Sequence, residues 1–441
     1  MGRRVSDNVG MQPGTVHNSD VTVIGGGLAG MAASLHLAKA GLRVVCIEPE
    51  TRVRQPVGES LDWASPALLG ALGLPMEDLI RSGIATYKRG VTLQQSGGSA
   101  KTYRPGPWLA RPPFNVELRT IHVDRMRLDR ELQDLVLRRG VTVVHDKAVT
   151  VERSGMRIAS IHTASGGQLV SPWFIDASGS FTSLLAHEFR LRAIEYGPRK
   201  VALWAYFTAA LAHEGTTIYM DAAQGAYMDW IWEIPIGPET LSVGYVTTGE
   251  AMKKRRDQGH TVEDILRLQL ARFPRLASLL EKGSGNPPCV TSFSCRTYKG
   301  LTGPNWMIVG EAASMVDPIT SNGVSAALRH AEEASALIAE CRGRSELPSG
   351  ARIAYDRRVL QMGELFNGGI EWLVYDWPVR DRLGAGRAAT VYTTAAWTMN
   401  GVYSRSRPRG VLATATFGAV LGVLRVSAWI CYRLCKVLSR R

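Results

Sequence analysis

The sequence predicts an α/β protein: an α/β sheet domain interrupted by an inserted antiparallel sheet and followed by a helical C-terminal region. Three observations carry this. Val21 to Glu48 reads as an apolar strand, a glycine turn, a slim amphipathic helix and a second apolar strand ending in an acid. Two later apolar strands, WFIDASG from Trp173 and WMIVG from Trp306, look like further members of the same sheet. Between them the runs VALWAYF, TTIYMD, AYMDWIWEIPI and TLSVGYVTT alternate at the spacing of an antiparallel sheet.

The first unit supplies the clearest chemistry. Gly25, Gly27 and Gly30 form G-x-G-x-x-G. In that pattern the first glycine makes the turn, the second lets backbone approach a pyrophosphate, and the third lets helix pack on strand. The helix start then offers unpaired N–H groups to phosphate. Glu48 closes the second strand, where an acid accepts hydrogen bonds from ribose hydroxyls. No second G-x-G-x-x-G follows a strand, which argues against a dedicated NADPH domain.

Bulk properties narrow the field. A chain of 441 residues with 45% hydrophobic content has a large core and is not wholly disordered. Its net charge of +13 suits a basic surface, an anionic substrate, an acidic carrier or a membrane surface. No zinc-ligand spacing, helix-turn-helix or RNP pattern points to nucleic acid or to a metal. The six cysteines form no C-x-x-C pair and no secretory signal precedes Val21, so a reducing cytoplasm is expected.

In chain order, residues 1–19 read as a disordered leader. Pro66–Leu74 predicts a short helix, Tyr87–Gln94 (YKRGVTLQ) an alternating strand, and Arg104–Pro113 a proline-rich loop. From Arg125 a helix carries Leu128, Leu132 and Leu135 on one face and returns through Gly140 into a strand. Residues 261–282 read as helical, and a long amphipathic helix opens near Asn322-Gly323. The expected division is a nucleotide-binding domain over 20–345, in segments of about 20–52, 116–182 and 296–345, with insertions of about 53–115 and 183–295. A helical region follows over 346–441, with an apolar and basic tail at 410–441. In that tail Val411–Leu424 is uncharged, and Trp429 and Tyr432 stand beside Arg433 and Lys436. It reads either as a peripheral contact with the inner face of a membrane or as a buried helix.

These segments resemble the FAD signature of group A flavin monooxygenases, the p-hydroxybenzoate-hydroxylase-like class. The matching positions are Gly25, Gly27, Gly30 and Glu48, then Arg125 with Asp129, then Gly310 with Glu311. That class usually has Gly-Asp where this chain has Gly310-Glu311. The resemblance implies an α/β fold with a Rossmann-like FAD-binding domain of the GR2/PHBH-like type. Within the class, Trp230–Pro235 (WIWEIP) is similar to the W-x-W-x-I-P fingerprint of flavin-dependent halogenases. Read without the resemblance, Trp230, Trp232 and Ile234 form one face of an edge strand ending at Pro235. Gly58-Glu59-Ser60-Leu61 resembles the halogenase G-E-S-L segment, and Lys88 lies where those enzymes carry a catalytic lysine. Asp317-Pro318-Ile319-Thr320-Ser321-Asn322-Gly323 resembles their chloride-binding loop beside the flavin.

The resemblance implies a halogenase that uses reduced FAD from a separate flavin reductase, O2, and chloride or bromide. Cofactor contacts are then expected from Gly25, Gly27, Gly30, Glu48, Ser60, Arg125, Asp176, Gly310, Glu311 and Asp317. Backbone N–H groups of Asn322 and Gly323 hold the halide, while Trp230, Trp232, Pro235, Pro318 and Ser321 line the pocket. Lys88 captures or holds the hypohalous species, and Glu59 orients Lys88 or acts as base. Capture needs a neutral amine, so burial must lower Lys88 from the free value of roughly 10.4. The plain alternative is a solvated lysine beside Arg89. Tryptophan halogenases carry a glutamate at the position of Thr320, and its absence points to the phenol- or pyrrole-type branch, on a free, carrier-bound or lipophilic substrate. Two other readings use the same scaffold: a monooxygenase that hydroxylates or epoxidises, and a flavoprotein partner without turnover.

Overall fold

A computed structural model describes residues 9–10, 13–49, 56–98, 100–104, 107, 110–111, 119–208, 214–221, 226–281 and 286–375, with 430 and 437. The six-stranded sheet runs, in spatial order, Val9–Gly10, Thr142–His145, Val44–Ile47, Val21–Ile24, Trp173–Asp176 and Trp306–Ile308. Every pairing in it is parallel. The strands Val44–Ile47, Val21–Ile24 and Trp173–Asp176 are buried along their whole length, which is why they read as unbroken apolar runs rather than alternating ones. Helices Leu28–Lys39, Arg125–Arg138 and Gly323–Glu340 pack on this sheet through one contiguous core that includes Leu35, Leu37, Leu128, Leu132 and Leu328.

The second layer is an eight-stranded sheet built around Ala193–Thr208, Thr240–Thr248, Asp229–Gly237 and Thr216–Asp221. Its two faces carry separate cores. Trp204, Trp230, Trp232 and Ile234 line one, closed by Phe366, Ile370, Val374 and Tyr375. Leu203, Ile231, Val243 and Tyr245 line the other, under helices Gly249–Asp257, Val262–Leu270 and Pro274–Glu281. Side chains alternate across the sheet, so neighbours in sequence serve different cores.

Four expectations are corrected. Part of the supposed disordered leader is ordered: Val16–Asn18 pairs in parallel with Gln168–Val170, and Val9–Gly10 extends the nucleotide sheet. Backbone pairing overrides the polar composition there. The inserted sheet is not wholly antiparallel, because Thr216–Asp221 pairs in parallel with Val91–Gln95. The strand Asp229–Gly237 lies inside the sheet, not at its edge, and Pro235 is accommodated where the register shifts before Gly237. Finally, Tyr87–Gln94 is two strands. Ala85–Tyr87 pairs with Ile121–Val123, Val91–Gln95 joins the large sheet, and Lys88 stands at the break. Gly90 permits it, since a Cβ there would lie 2.7 Å from the Tyr103 carbonyl oxygen.

Most of the C-terminal expectation, including Trp377, Trp397 and nearly all of the tail at 410–441, lies outside the described residues. Among the described residues no helix is long and apolar enough to cross a membrane.

Candidate active site

The glycine turn is sterically exclusive. Gly25 has φ +95°, and a Cβ there would lie 2.5 Å from the Ala177 carbonyl oxygen; at Gly30 it would lie 1.8 Å from the Gly25 oxygen. Gly27 caps helix Leu28–Lys39, which has no side-chain cap and no acid in its first turn, so its leading N–H groups stay available to an anion. The Gly26 N–H donates to Glu48 Oε2 at 2.6 Å, setting the carboxylate beside the turn. Gly310, at φ +63°, brings its loop onto the same helix, so close that a Cβ there would lie 2.6 Å from that of Ala29.

Arg125 links this cradle to the G-E-S-L segment. Its guanidinium pairs with Asp129 at 3.1 Å and donates to the Val57 carbonyl at 2.7 Å. Glu311 is surrounded by protein yet open to solvent, as a side chain facing a cleft is; burial raises its carboxyl and the Arg125 charge opposes that. Asp176 and Asp317, expected among the cofactor contacts, both turn inward. The Asp176 carboxylate accepts from the Leu185 N–H at 2.7 Å and from Ser178, so it shapes the loop after its strand. Asp317 is fully buried and ion-paired with Lys200 at 3.1 Å.

Ser60, Leu61 and Asp62 are the hub of the region around Lys88. Ser321 Oγ donates to Ser60 Oγ at 3.2 Å, Lys88 Nζ donates to the Leu61 carbonyl at 2.8 Å, and Ser325 Oγ donates to Asp62 at 2.5 Å. One tripeptide therefore ties Lys88 to the 317–323 loop and to helix Gly323–Glu340. Lys88 is not a free surface lysine. Burial lowers its amine to about 8, and only the Asp62 charge opposes that. In the loop, the Asp317 carboxylate accepts from the Ile319 N–H, and Ser321 adopts φ +58°. A non-glycine residue held in that region stores strain, a recurrent feature of functional loops. The turn leads into Asn322 and Gly323, the start of an 18-residue helix with no acid in its first turn. Pro318 opens the same turn, directly after Asp317.

Glu59 is 4% exposed, and burial raises it to about 7, against hydrogen bonds from Ser242 and Tyr206. Tyr206 donates to Glu59 Oε1 at 2.7 Å and accepts from Trp204 Nε1 at 3.2 Å. Trp232 lies over Gly244, where a Cβ would meet its ring at 2.2 Å, and donates to Ser242 Oγ at 3.0 Å. Trp230 donates to the Tyr375 hydroxyl at 2.7 Å, and its ring centroid is 5.8 Å from that of Trp232. The Pro235 carbonyl accepts from Thr86, close to the Lys88 break.

Sequence reading missed Tyr206, Ser242 and Lys200. A signal existed for the first and last: Lys200, Ala202, Trp204 and Tyr206 recur every second residue on the face that carries the tryptophans.

Residues 116–366 match the family model described as tryptophan halogenase, and residues 20–88 match an FAD-binding domain. The chain is 28% identical to a tryptophan 2-halogenase of Chondromyces crocatus over 73% of its own length and 61% of that protein. It is 26% identical to a 1H-pyrrole-2-carbonyl-[peptidyl-carrier protein] chlorinase of Pseudomonas fluorescens over 81% of its length and 82% of that protein. The chain thus spans less than two thirds of the first curated relative, and 65% and 64% of two flavin-dependent halogenases of Armillaria mellea. In fold it is similar to the flavin-dependent brominase Bmp2, with 22% identity, a TM-score of 0.68, and coverage of 93% of this chain and all of that one.

Proposed function

The chain belongs to the tryptophan halogenase family, and from that premise we propose an FAD-dependent halogenase acting on an electron-rich, phenol- or pyrrole-like ring. The observation that carries the proposal is Lys88, an amine lowered to about 8 and tied through Ser60–Asp62 to a strained loop at a helix start. The chlorinase relative named for a carrier-bound pyrrole, together with Thr320 in place of glutamate, supports the phenol or pyrrole branch and a tethered substrate.

The residues present fit FAD: a turn that only glycine fills, an open helix N-terminus for the pyrophosphate, and Glu48 set beside it for the ribose. Bound in reduced form, FAD supplies with O2 the two-electron oxidation of halide. A separate flavin reductase delivers those electrons, since the sequence has no second dinucleotide fingerprint.

The protein's own steps are three. N–H groups at Asn322 and Gly323, reinforced by the helix dipole, hold chloride or bromide. Neutral Lys88 then attacks hypohalous acid: an N–halogen bond forms, the halogen–oxygen bond breaks, and water leaves with the amine proton. The ring attacks that halogen, the N–halogen electron pair returns to nitrogen, which takes a proton from solvent to restore the amine, and the ring proton passes to Glu59. A carboxyl near 7 accepts it at neutral pH. Trp204, Trp230 and Trp232 keep the surroundings apolar and dry.

The expected place of work is the cytoplasm, with the basic tail making any membrane contact. The test is to supply reduced FAD, O2 and bromide with a panel of phenols and with pyrrole-2-carboxylate loaded on a carrier protein. The proposal predicts a bromine isotope pair on product only when reduced flavin comes from outside. Substrate-stimulated NADPH oxidation with an added oxygen atom would instead identify a monooxygenase.

A further inference from the structure

Lys200 is a lysine that is 1% exposed in the middle of an apolar face, and nothing in the proposed chemistry uses it. Its ammonium sits 3.1 Å from Asp317 Oδ2 and 3.2 Å from Glu371 Oε2, with the Tyr375 ring centroid 4.2 Å away. These groups come from four distant parts of the chain. Lys200 follows a bulge in its strand, Asp317 opens the halide loop, the single Tyr227 hydroxyl proton faces the Glu371 carboxylate with both oxygens in reach, and Tyr375 donates to Asp317 Oδ1 at 2.9 Å. The bulge is fitted to the cluster: Gly197 has φ +66°, and a Cβ there would lie 2.2 Å from the Glu371 carboxylate.

The two carboxylate oxygens of Asp317 face different partners. Oδ2 is held by Lys200 and the Cys295 thiol, Oδ1 accepts from Tyr375 and the Ile319 N–H, and the backbone N–H donates to Asn367 Oδ1 at 2.9 Å. Asn367 also donates to the Met315 carbonyl at 3.0 Å, while Thr320 Oγ1 closes onto the Asp317 carbonyl at 2.9 Å. Segment 364–375 is two π-helical turns, a rare and locally strained form found at functional sites. That segment packs Phe366, Ile370 and Val374 against the Trp230 and Trp232 face. A buried lysine facing two carboxylates is stable only with the whole set in place, because removing one partner leaves an uncompensated buried charge.

We infer that Lys200 is a positioning residue that couples the docking of segment 364–375 over the tryptophan face to the conformation of the halide loop. Docking of that segment and halide held by the loop then strengthen each other reciprocally. This rests on the halide-loop reading above.

The test uses the full-length chain with Lys200→Met, Lys200→Arg and Gly197→Ala; the last displaces Glu371 without changing any charge. Amide hydrogen exchange of peptides covering 316–324 needs neither flavin nor halide. Exchange there is expected to speed up about tenfold in Lys200→Met and Gly197→Ala and to stay near wild type in Lys200→Arg, with peptides of 262–279 unchanged. Under turnover, half-saturation for bromide is expected to rise about tenfold while kcat at saturating bromide falls no more than about threefold. If Lys200→Met does not fold, Gly197→Ala decides. Folded variants with unchanged exchange over 316–324 and unchanged bromide half-saturation overturn the inference. A wild-type enzyme indifferent to bromide overturns the halogenase reading instead, and the exchange experiment still judges whether Lys200 sets the loop.

Discussion

Lys88 makes the sharpest quantitative prediction, and pH is the perturbation. With its amine lowered to about 8, roughly one molecule in ten carries neutral Lys88 at pH 7. A free lysine near 10.4 would be neutral in about one molecule in 2,500, so burial raises the reactive fraction roughly 200-fold. The neutral fraction climbs about tenfold for each pH unit below 8 and levels off above it. The cause is desolvation, since Lys88 Nζ makes its bond to the Leu61 carbonyl and Asp62 alone opposes the shift. Two assays read this. Competitive labelling by a trace electrophile, followed by mass spectrometry of the Lys88 peptide, titrates the amine without flavin or substrate. The halogenation rate at saturating bromide titrates it in turnover. Both are predicted to bend near pH 8. A labelling midpoint near the free-lysine value would refute the desolvation argument. A halogenation rate that falls as pH rises through 8 would show that the ammonium is needed, and capture by the neutral amine would be wrong.

The remaining predictions concern Glu59, Gly244 and Tyr206. Glu59 is protonated in the folded chain up to about 7, whereas the unfolded carboxyl ionises near 4.3. Between those values the native state holds the extra proton, so stability falls as pH rises, by about 4 kcal/mol once pH exceeds 7. Glu59→Gln is therefore expected to gain in melting temperature over wild type between pH 5 and 8 while losing halogenation about 100-fold. An equal melting temperature at pH 8 would contradict this. Gly244→Ala places a methyl where the Trp232 ring lies, and is expected to cost about 2 kcal/mol in denaturant unfolding and to alter indole fluorescence. Tyr206→Phe removes the hydroxyl that donates to Glu59, so the Glu59 carboxyl should titrate higher and the acidic limb of the rate profile should move up in pH. An unmoved acidic limb would remove Glu59 from the rate.

Local pattern carried much of the fold. The glycine turn, WFIDASG and WMIVG were legible because each strand is buried along its full length and each turn needs glycine at a fixed offset. The glycine contacts, the Glu48 bond and the start of helix Gly323–Glu340 also follow from short-range sequence. What depended on distant partners stayed hidden. The break at Lys88 is set by Tyr103 and Glu214 against residues 89–90, and YKRGVTLQ alternates well enough to pass for one strand. Strand pairing, invisible in polar composition, orders Val16–Asn18. Asp317 read as a flavin contact because its loop resembles one; its direction is decided by Lys200, 117 positions earlier, and by Tyr375, 58 later. A buried ion cluster of this kind has no local signature beyond a lysine at an inward-facing strand position.

Halide that is oxidised and passes through Lys88 leaves halogen on that amine. The most direct measurement supplies the purified chain with reduced FAD, O2 and radiolabelled chloride, with a scavenger for free hypochlorous acid, and asks whether label stays on the protein. Label is expected to remain on the peptide carrying Lys88 and to be absent in Lys88→Ala, with hydrogen peroxide released from the variant. Label absent from wild type, or equally present in Lys88→Ala, would contradict passage of the halogen through Lys88.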